Sequence, residues 1–212
     1  MTIGVLAGAG DDFFEMYLGE ISRWVGVDRG AHRLISRKIK PVLSIGDFDS
    51  VKVTERKMIE EKSLETVRLS SEKDDTDTER ALIEVMQRWP GEDVYLFGGT
   101  GGRLDHFLQN MFLVLRPEFT PLTEHLFLLD QHNTVRFFLP GEHFIIKEKE
   151  KQFVSVFCLT PVQNLRLVGF KYLLFQEEVR NPRGYVSNEF LDKKAKISFS
   201  EGVLAVIQSV DK

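Results

Sequence analysis

The sequence predicts a protein of the α/β class, with an amino-terminal parallel-sheet domain over residues 1–132 and a smaller carboxyl-terminal antiparallel β-sandwich over 133–212. Three observations carry this reading. In the first part, short apolar runs alternate with segments of helical periodicity. Beyond residue 132 the helical periodicity fades, and short strand-like segments follow, separated by turn signals such as Pro140-Gly141, Asn181-Pro182 and Glu201-Gly202. Finally, polar clusters rich in aspartate or glycine sit where apolar runs of the first part end. Strands that alternate with helices imply right-handed crossovers and a parallel sheet. Ligands of such sheets bind beyond the carboxyl ends of the strands.

The elements follow in order. TIGVLAG reads as a first strand ending in a glycine turn, and Phe13 to Ile21 has helical spacing. WVGVD (Trp24 to Asp28) is a second strand, followed by a short helix near Ala31 to Ser36. PVLSIGDFDS starts as a strand and ends in acid; Thr54 to Lys62 is an exposed helix, and Leu64 to Leu69 a strand. Thr76 to Arg88 is the clearest helix, because Thr76 and Glu79 have capping-box spacing and Ala81, Leu82, Val85, Met86 and Trp89 form one apolar face. Asp93 to Phe97 is a strand, and GGTGG is the turn after it. The next helix puts Leu104, Phe107, Leu108, Met111, Phe112 and Leu115 on one face, with Arg103, His106 and Asn110 on another. His125 to Leu129 closes the first domain as a strand. Short segments at Val135–Leu139, His143–Ile146, Phe153–Leu159, Leu165–Val168, Tyr172–Phe175, Lys196–Phe199 and Val203–Ser209 make the sandwich.

Composition narrows the function. A chain of 212 residues with 42% apolar content has ample core. No run reaches the length of a membrane span, and the amino terminus lacks the pattern of a signal peptide. A net charge of −4 with interspersed basic residues offers no basic stripe for nucleic acid. The single cysteine, Cys158, lies in an apolar run and reads as a buried inert thiol, in keeping with a reducing, cytoplasmic setting. The alternating charges of Lys147 to Lys151 read as a solvated hairpin or loop. No GxSxG elbow or cysteine nucleophile motif supports covalent catalysis.

The chemistry lies in four acidic clusters: Asp28 in VDRGA, Asp47 and Asp49 in GDFDS, Asp74 and Asp77 in KDDTDTE, and Asp105 in GGTGGRLDH. Two carboxylates a few ångströms apart repel by roughly 4 kcal/mol at an effective dielectric near 20. A fold that gathers several must neutralise them, and Mg²⁺ bridging carboxylates to phosphates does so. In an extended segment Asp47 and Asp49 would point the same way, with Phe48 turned into packing. Asp74 and Asp77, three apart across a helix entry, could face one site, whereas Asp75 and Glu79 suit the helix start itself. Backbone amides of a glycine turn before a helix can cradle phosphate, and Arg103 adds a charged fork. Each cluster alone also fits an ordinary turn or cap. RGYVSNEF (Arg183 to Phe190) reads as a hairpin turn, or as a polar segment offering Ser187 and Asn188 to a heterocycle.

Together, VDRGAHRL, SIGDFDS, KDDTDTERAL, FGGTGGRLDHFLQN, VGFKY, RGYVSNEF and ISFSEGVLAVIQS closely resemble the thiamine pyrophosphokinase family, in order and spacing, over nearly the whole chain. The resemblance implies a Rossmann-like first domain, a thiamine-binding sandwich, a cytoplasmic homodimer, and ATP with Mg²⁺. It implies pyrophosphoryl transfer from ATP to the thiamine hydroxyl at active sites on the dimer interface. By that resemblance Asp28, Asp47, Asp49 and Asp77 hold the metal, with Asp49, Asp77, Asp105 and Arg103 counted as catalytic. Arg29, Gly98, Gly99, Thr100, Gly101, Gly102 and Arg103 meet the nucleotide. Asp105 orients the acceptor or takes its proton, and Ser187 and Asn188 contact the thiamine pyrimidine, across the dimer. The family often has DGGAN where Asp28-Arg29-Gly30-Ala31-His32 stands here, which leaves the individual roles of Arg29 and His32 open. Leu173 replaces a common proline. A metal-dependent phosphohydrolase and a non-catalytic sensing module are the competing readings; an organic-acceptor segment argues against the first, and intact motif acids against the second.

Overall fold

A computed structural model describes residues 1–9, 12–72 and 74–211. Gly10 of the first turn and Lys73 of the KDDTDTE motif lie outside the described residues. The chain divides into two compact units, Met1–Gln131 and His132–Lys212.

In the first unit, six strands are built from the apolar runs: β1 (Thr2–Leu6), β2 (Arg23–Val27), β3 (Leu43–Gly46), β4 (Thr66–Arg68), β5 (Asp93–Phe97) and β6 (Leu126–Leu129). Every neighbouring pair is parallel, in the spatial order β6-β5-β1-β2-β3-β4. Four helices connect them: α1 (Arg29–Ser36), α2 (Val53–Lys62), α3 (Asp77–Arg88) and α4 (Leu104–Phe112). The strands are largely buried apart from edge strand β4, as a sheet covered on both faces requires. The sequence order reverses between β1 and β5, and this is the switch point where such sheets open a crevice. Because all six strands run the same way, Ala7, Asp28, Asp47, Gly98 and Asp130 arrive at one edge, each next after its strand.

Several elements depart from the sequence reading. Phe13 to Ile21 forms only a short 3-10 turn, Phe13–Tyr17. Its aromatic rings pack edge to face with Trp24 and Tyr95, which fixes them without a regular helix. The apolar face of α4 is largely exposed at Leu104, Leu108 and Phe112. The helix instead buries Met111 and the polar Asn110.

The second unit contains eight antiparallel strands: β7 (Asn133–Phe138), β8 (Gly141–Ile146), β9 (Phe153–Cys158), β10 (Val162–Val168), β11 (Leu174–Val179), β12 (Arg183–Asn188), β13 (Lys194–Phe199) and β14 (Leu204–Ser209). They form two four-stranded layers, β12-β9-β14-β7 and β11-β10-β13-β8. Alternating residues such as Val154, Val156 and Cys158 from one layer and Leu165, Leu167, Ile197 and Phe199 from the other fill a common core. Cys158 is buried, and desolvation pushes its thiol up to about 11, so it stays protonated and unreactive. RGYVSNEF is not a hairpin turn: Arg183 to Asn188 is a strand paired with β9. The Lys147 to Lys151 run is not uniformly solvated either. Lys151 is buried, and Glu148 accepts a hydrogen bond from Thr134 Oγ1 at 2.8 Å.

Candidate active site

The acids are positioned from the backbone upward. Asp28 follows β2 directly and adopts φ +47° with ψ −121°, a backbone conformation that residues with a side chain rarely take. Its N–H donates to Ile45 O at 3.0 Å, tying the ends of β2 and β3 together. Its Oδ1 accepts the Phe48 N–H at 3.2 Å. The carboxylate fits because residue 46 is glycine: a Cβ there would lie 1.9 Å from Asp28 Oδ1. Asp47 follows β3, and Asp77 is the first residue of α3. One carboxylate oxygen each from Asp28, Asp47 and Asp77 lies within 4.8 Å of the others.

Such a gathering is costly without a cation. Burial and the facing Asp77 push the Asp28 carboxyl up to about 7; Asp47 adds to the rise, and the Phe48 N–H opposes it. A hydrogen bond with Asp77 also favours the protonated form. An all-oxygen donor set with excess negative charge is the chemistry that a hard divalent cation neutralises, so the residues present fit Mg²⁺.

Asp49 is not in this set. Residues 47–50 are not extended, because Phe48 takes φ +59° and buries its ring against Ala31, Ile35 and Ile59. The chain turns there, the Asp49 N–H donates to Asp47 Oδ1 at 3.0 Å, and the Asp49 side chain is exposed. Asp74 is likewise exposed and outside the acid set.

The three acids open into a cavity of about 530 Å³. Its walls include Ala7 to Ala9 after β1, Gly98 and Gly101 after β5, and Arg29, Arg103 and His106. Gly98 has φ +74°, and a Cβ there would come within 2.2 Å of Ala9 O, so only glycine lets the two loops meet. The rest of the glycine loop is anchored from behind. Gly99 O accepts Asn110 Nδ2 at 2.9 Å, and Thr100 Oγ1 donates to Asp130 at 2.5 Å. Asn110 and Asp130 are thus functional supports that the motif reading did not single out. A polar residue on the helix after a glycine turn was the available signal for Asn110. Asp105 is exposed and does not line the cavity; its carboxylate pairs with Arg103 Nη2 at 2.5 Å. That guanidinium holds the Asp105 carboxyl below the usual carboxylate range.

In the second unit, the two residues expected to meet thiamine behave differently. Ser187 is exposed, with φ +56° at a register shift in β12. Asn188 is buried, and its amide is engaged with the backbone of Tyr172: Oδ1 accepts the N–H at 2.9 Å and Nδ2 donates to the carbonyl at 2.8 Å. Asn188 lines a pocket of about 250 Å³ with Leu167, Tyr172, Leu174, Tyr185 and Val186. The Tyr185 hydroxyl is buried without a hydrogen-bond partner among the described residues.

A glycine-bordered cavity with a triad of acids at the switch point of a parallel sheet, on a chain that also carries a β-sandwich, defines a protein of the phosphate-handling α/β class. Comparisons with known proteins narrow the class. Residues 14–123 match the model of the thiamin pyrophosphokinase catalytic domain, and residues 142–204 that of its vitamin B1 binding domain. The chain is 34% identical over 215 residues to the thiamine pyrophosphokinase of Bacillus subtilis, covering 99% of each. It superposes on the crystal structure of a thiamin pyrophosphokinase family protein from Enterococcus faecalis with a TM-score of 0.93 at 36% identity, and both chains are fully covered. The thiamin pyrophosphokinase of Geobacillus thermodenitrificans gives a TM-score of 0.85 at 30% identity, over 100% of this chain and 99% of that one. The chain belongs to the thiamine pyrophosphokinase family.

Proposed function

We propose that this chain transfers the pyrophosphoryl group of ATP to the primary hydroxyl of thiamine, giving thiamine diphosphate and AMP. The observation that carries the reading is the convergence of Asp28, Asp47 and Asp77 on one cavity edged by the glycine loop, in a chain with both family domains. The thiamine hydroxyl oxygen gives up its proton to water and bonds to the β-phosphorus as the bond from that phosphorus to the α–β bridging oxygen breaks. AMP then leaves. Positioning and charge neutralisation supply most of the rate in such transfers.

Asp28, Asp47 and Asp77 would hold Mg²⁺, which when bound neutralises phosphate charge and orients the polyphosphate. Arg29 and Arg103 add positive charge at the cavity wall, and the loop Gly98 to Gly102, which lines the cavity at Gly98 and Gly101, would offer backbone amides to the phosphates. Asp105, exposed and outside the cavity lining, acts by holding the Arg103 guanidinium at the cavity wall. Ser187 offers an exposed hydroxyl to the thiamine pyrimidine. Asn188 acts by shaping the wall formed by Tyr172.

We further assign the chain to a homodimer in the cytoplasm. Support for the dimer comes from the second unit, where Phe144 and Val168 flank Lys196 across neighbouring strands, and Phe144, Ile146 and Val168 are exposed. The lone buried thiol suits a reducing compartment. No helix among the described residues is long and apolar enough to cross a membrane.

Product analysis with ATP and Mg²⁺ tests the activity. AMP and thiamine diphosphate should appear in equal amounts and only when thiamine is present. AMP released equally without thiamine would mark a phosphohydrolase instead.

A further inference from the structure

Glu79 is the only fully buried acid among the described residues, 1% exposed. Its capping role explains half of its contacts. Oε2 accepts the Thr76 N–H at 2.7 Å, and Thr76 Oγ1 accepts the Glu79 N–H at 3.2 Å, which completes the capping box of α3. The other oxygen does something a cap does not require. Oε1 accepts Gln109 Nε2 from α4 at 2.9 Å and also pairs with Arg116 Nη1. Arg116 is itself held by Glu118 at 2.6 Å, stands 3.6 Å from Asp75, and stacks its guanidinium 5.3 Å from the Phe119 ring centre.

A capping glutamate works as well in water. Burying a carboxylate is unfavourable unless it is paired and hydrogen-bonded. Here the carboxylate is buried two residues from Asp77, and its partners come from α4 and from Arg116, which caps the 3-10 segment Pro117–His125. The first turn of α3 is thereby fastened on two sides. Glu79 does not line the cavity.

We propose that Glu79, clamped by Gln109 and Arg116, is a positioning residue that fixes the first turn of α3 so that the Asp77 carboxylate meets Asp28 and Asp47 around a divalent cation. The inference rests on the Mg²⁺ reading given above. A purely structural cap would change stability and leave cation affinity alone. A positioning residue changes cation affinity in a folded protein, as groups supporting metal ligands do by roughly 10–100-fold.

The test is Mn²⁺ binding by electron paramagnetic resonance and Mg²⁺ binding by calorimetry on the full chain. Wild type is compared with Glu79→Gln, Arg116→Gln and Asp77→Asn. Gln at 79 keeps an acceptor for the Thr76 N–H and loses the charge facing Arg116. About 10-fold weaker cation binding or more is expected in Glu79→Gln. Arg116→Gln should lose affinity in the same direction, while the circular dichroism spectrum and the KM for thiamine stay at wild-type values. The 37% exposed Arg116 carries the test should Glu79→Gln fail to fold. Wild-type cation affinity in the folded variants, with Asp77→Asn impaired, would overturn the positioning role alone. Wild-type affinity in Asp77→Asn, or no binding by the wild type, would instead refute the metal reading and the positioning role with it.

Discussion

Replacing Asp28 by asparagine should stabilise the metal-free protein at neutral and alkaline pH while destroying its response to Mg²⁺. Asparagine has the size and branching of the aspartate it replaces, keeps an oxygen for the Phe48 N–H, and offers a donor to Asp77 as a protonated aspartate does. The magnitude follows from the raised pKa. A rise from 3.8 to about 7 corresponds to about 4 kcal/mol of unfavourable ionisation in the fold. Because the side chain is partly exposed and its charge is shared with two neighbours, about 2 kcal/mol is the expected share in solution. The sign runs one way. Below the unfolded value near pH 4 the carboxyl is neutral in both states, and the penalty is absent. It grows as pH rises towards 7, because the unfolded chain ionises freely and the fold does not, and above 7 it is constant. Urea unfolding in EDTA at a series of pH values, wild type beside variant, reads it directly. The stability difference should be small near pH 4 and favour the variant at pH 8. Adding Mg²⁺ should raise the wild-type midpoint alone. A variant less stable than wild type at pH 8 without metal, or a difference independent of pH, would refute the reasoning.

Other expectations follow from the same geometry. Asp47→Asn should cost more turnover than Asp49→Asn, since only Asp47 belongs to the gathered acids; equal losses in steady-state assays would bring Asp49 into the site. Gly46→Ala drives a methyl against Asp28 Oδ1, so Mg²⁺-dependent thermal stabilisation should fall sharply, and an unchanged response would show that Asp28 need not occupy its position. Asn110→Ala leaves the Gly99 carbonyl unpaired in a buried site, a cost of about 1–3 kcal/mol. The KM for ATP should rise with the KM for thiamine unchanged, and an effect on thiamine alone would contradict a nucleotide-loop role.

Local signals made much of this legible in the sequence. The run-and-periodicity alternation gave the parallel sheet, and Thr76 with Glu79 marked the start of α3, because capping is a short-range effect written in adjacent residues. What failed depended on distant partners. GDFDS looked extended, yet burial of Phe48 against α1 and α2 compensates a left-handed backbone and turns Asp49 away. The stripe of α4 carries the amphipathic pattern, but periodicity does not say which side a fold covers, and here Asn110 goes inward to serve the glycine loop. The buried oxygen of Glu79 was invisible for the same reason, since its partners lie 30 and 37 residues away. Ser187 and Asn188 read as a pair, but neighbours along a strand face opposite sides, and in β12 one points outward and one inward.

The position of the divalent ion is the most direct test of the acidic site. Crystals soaked with Mn²⁺ and a non-hydrolysable ATP analogue should show anomalous density among the carboxylates of Asp28, Asp47 and Asp77, with the analogue's phosphates on the same ion. Density confined to other acids, with those three side chains unliganded, would contradict it.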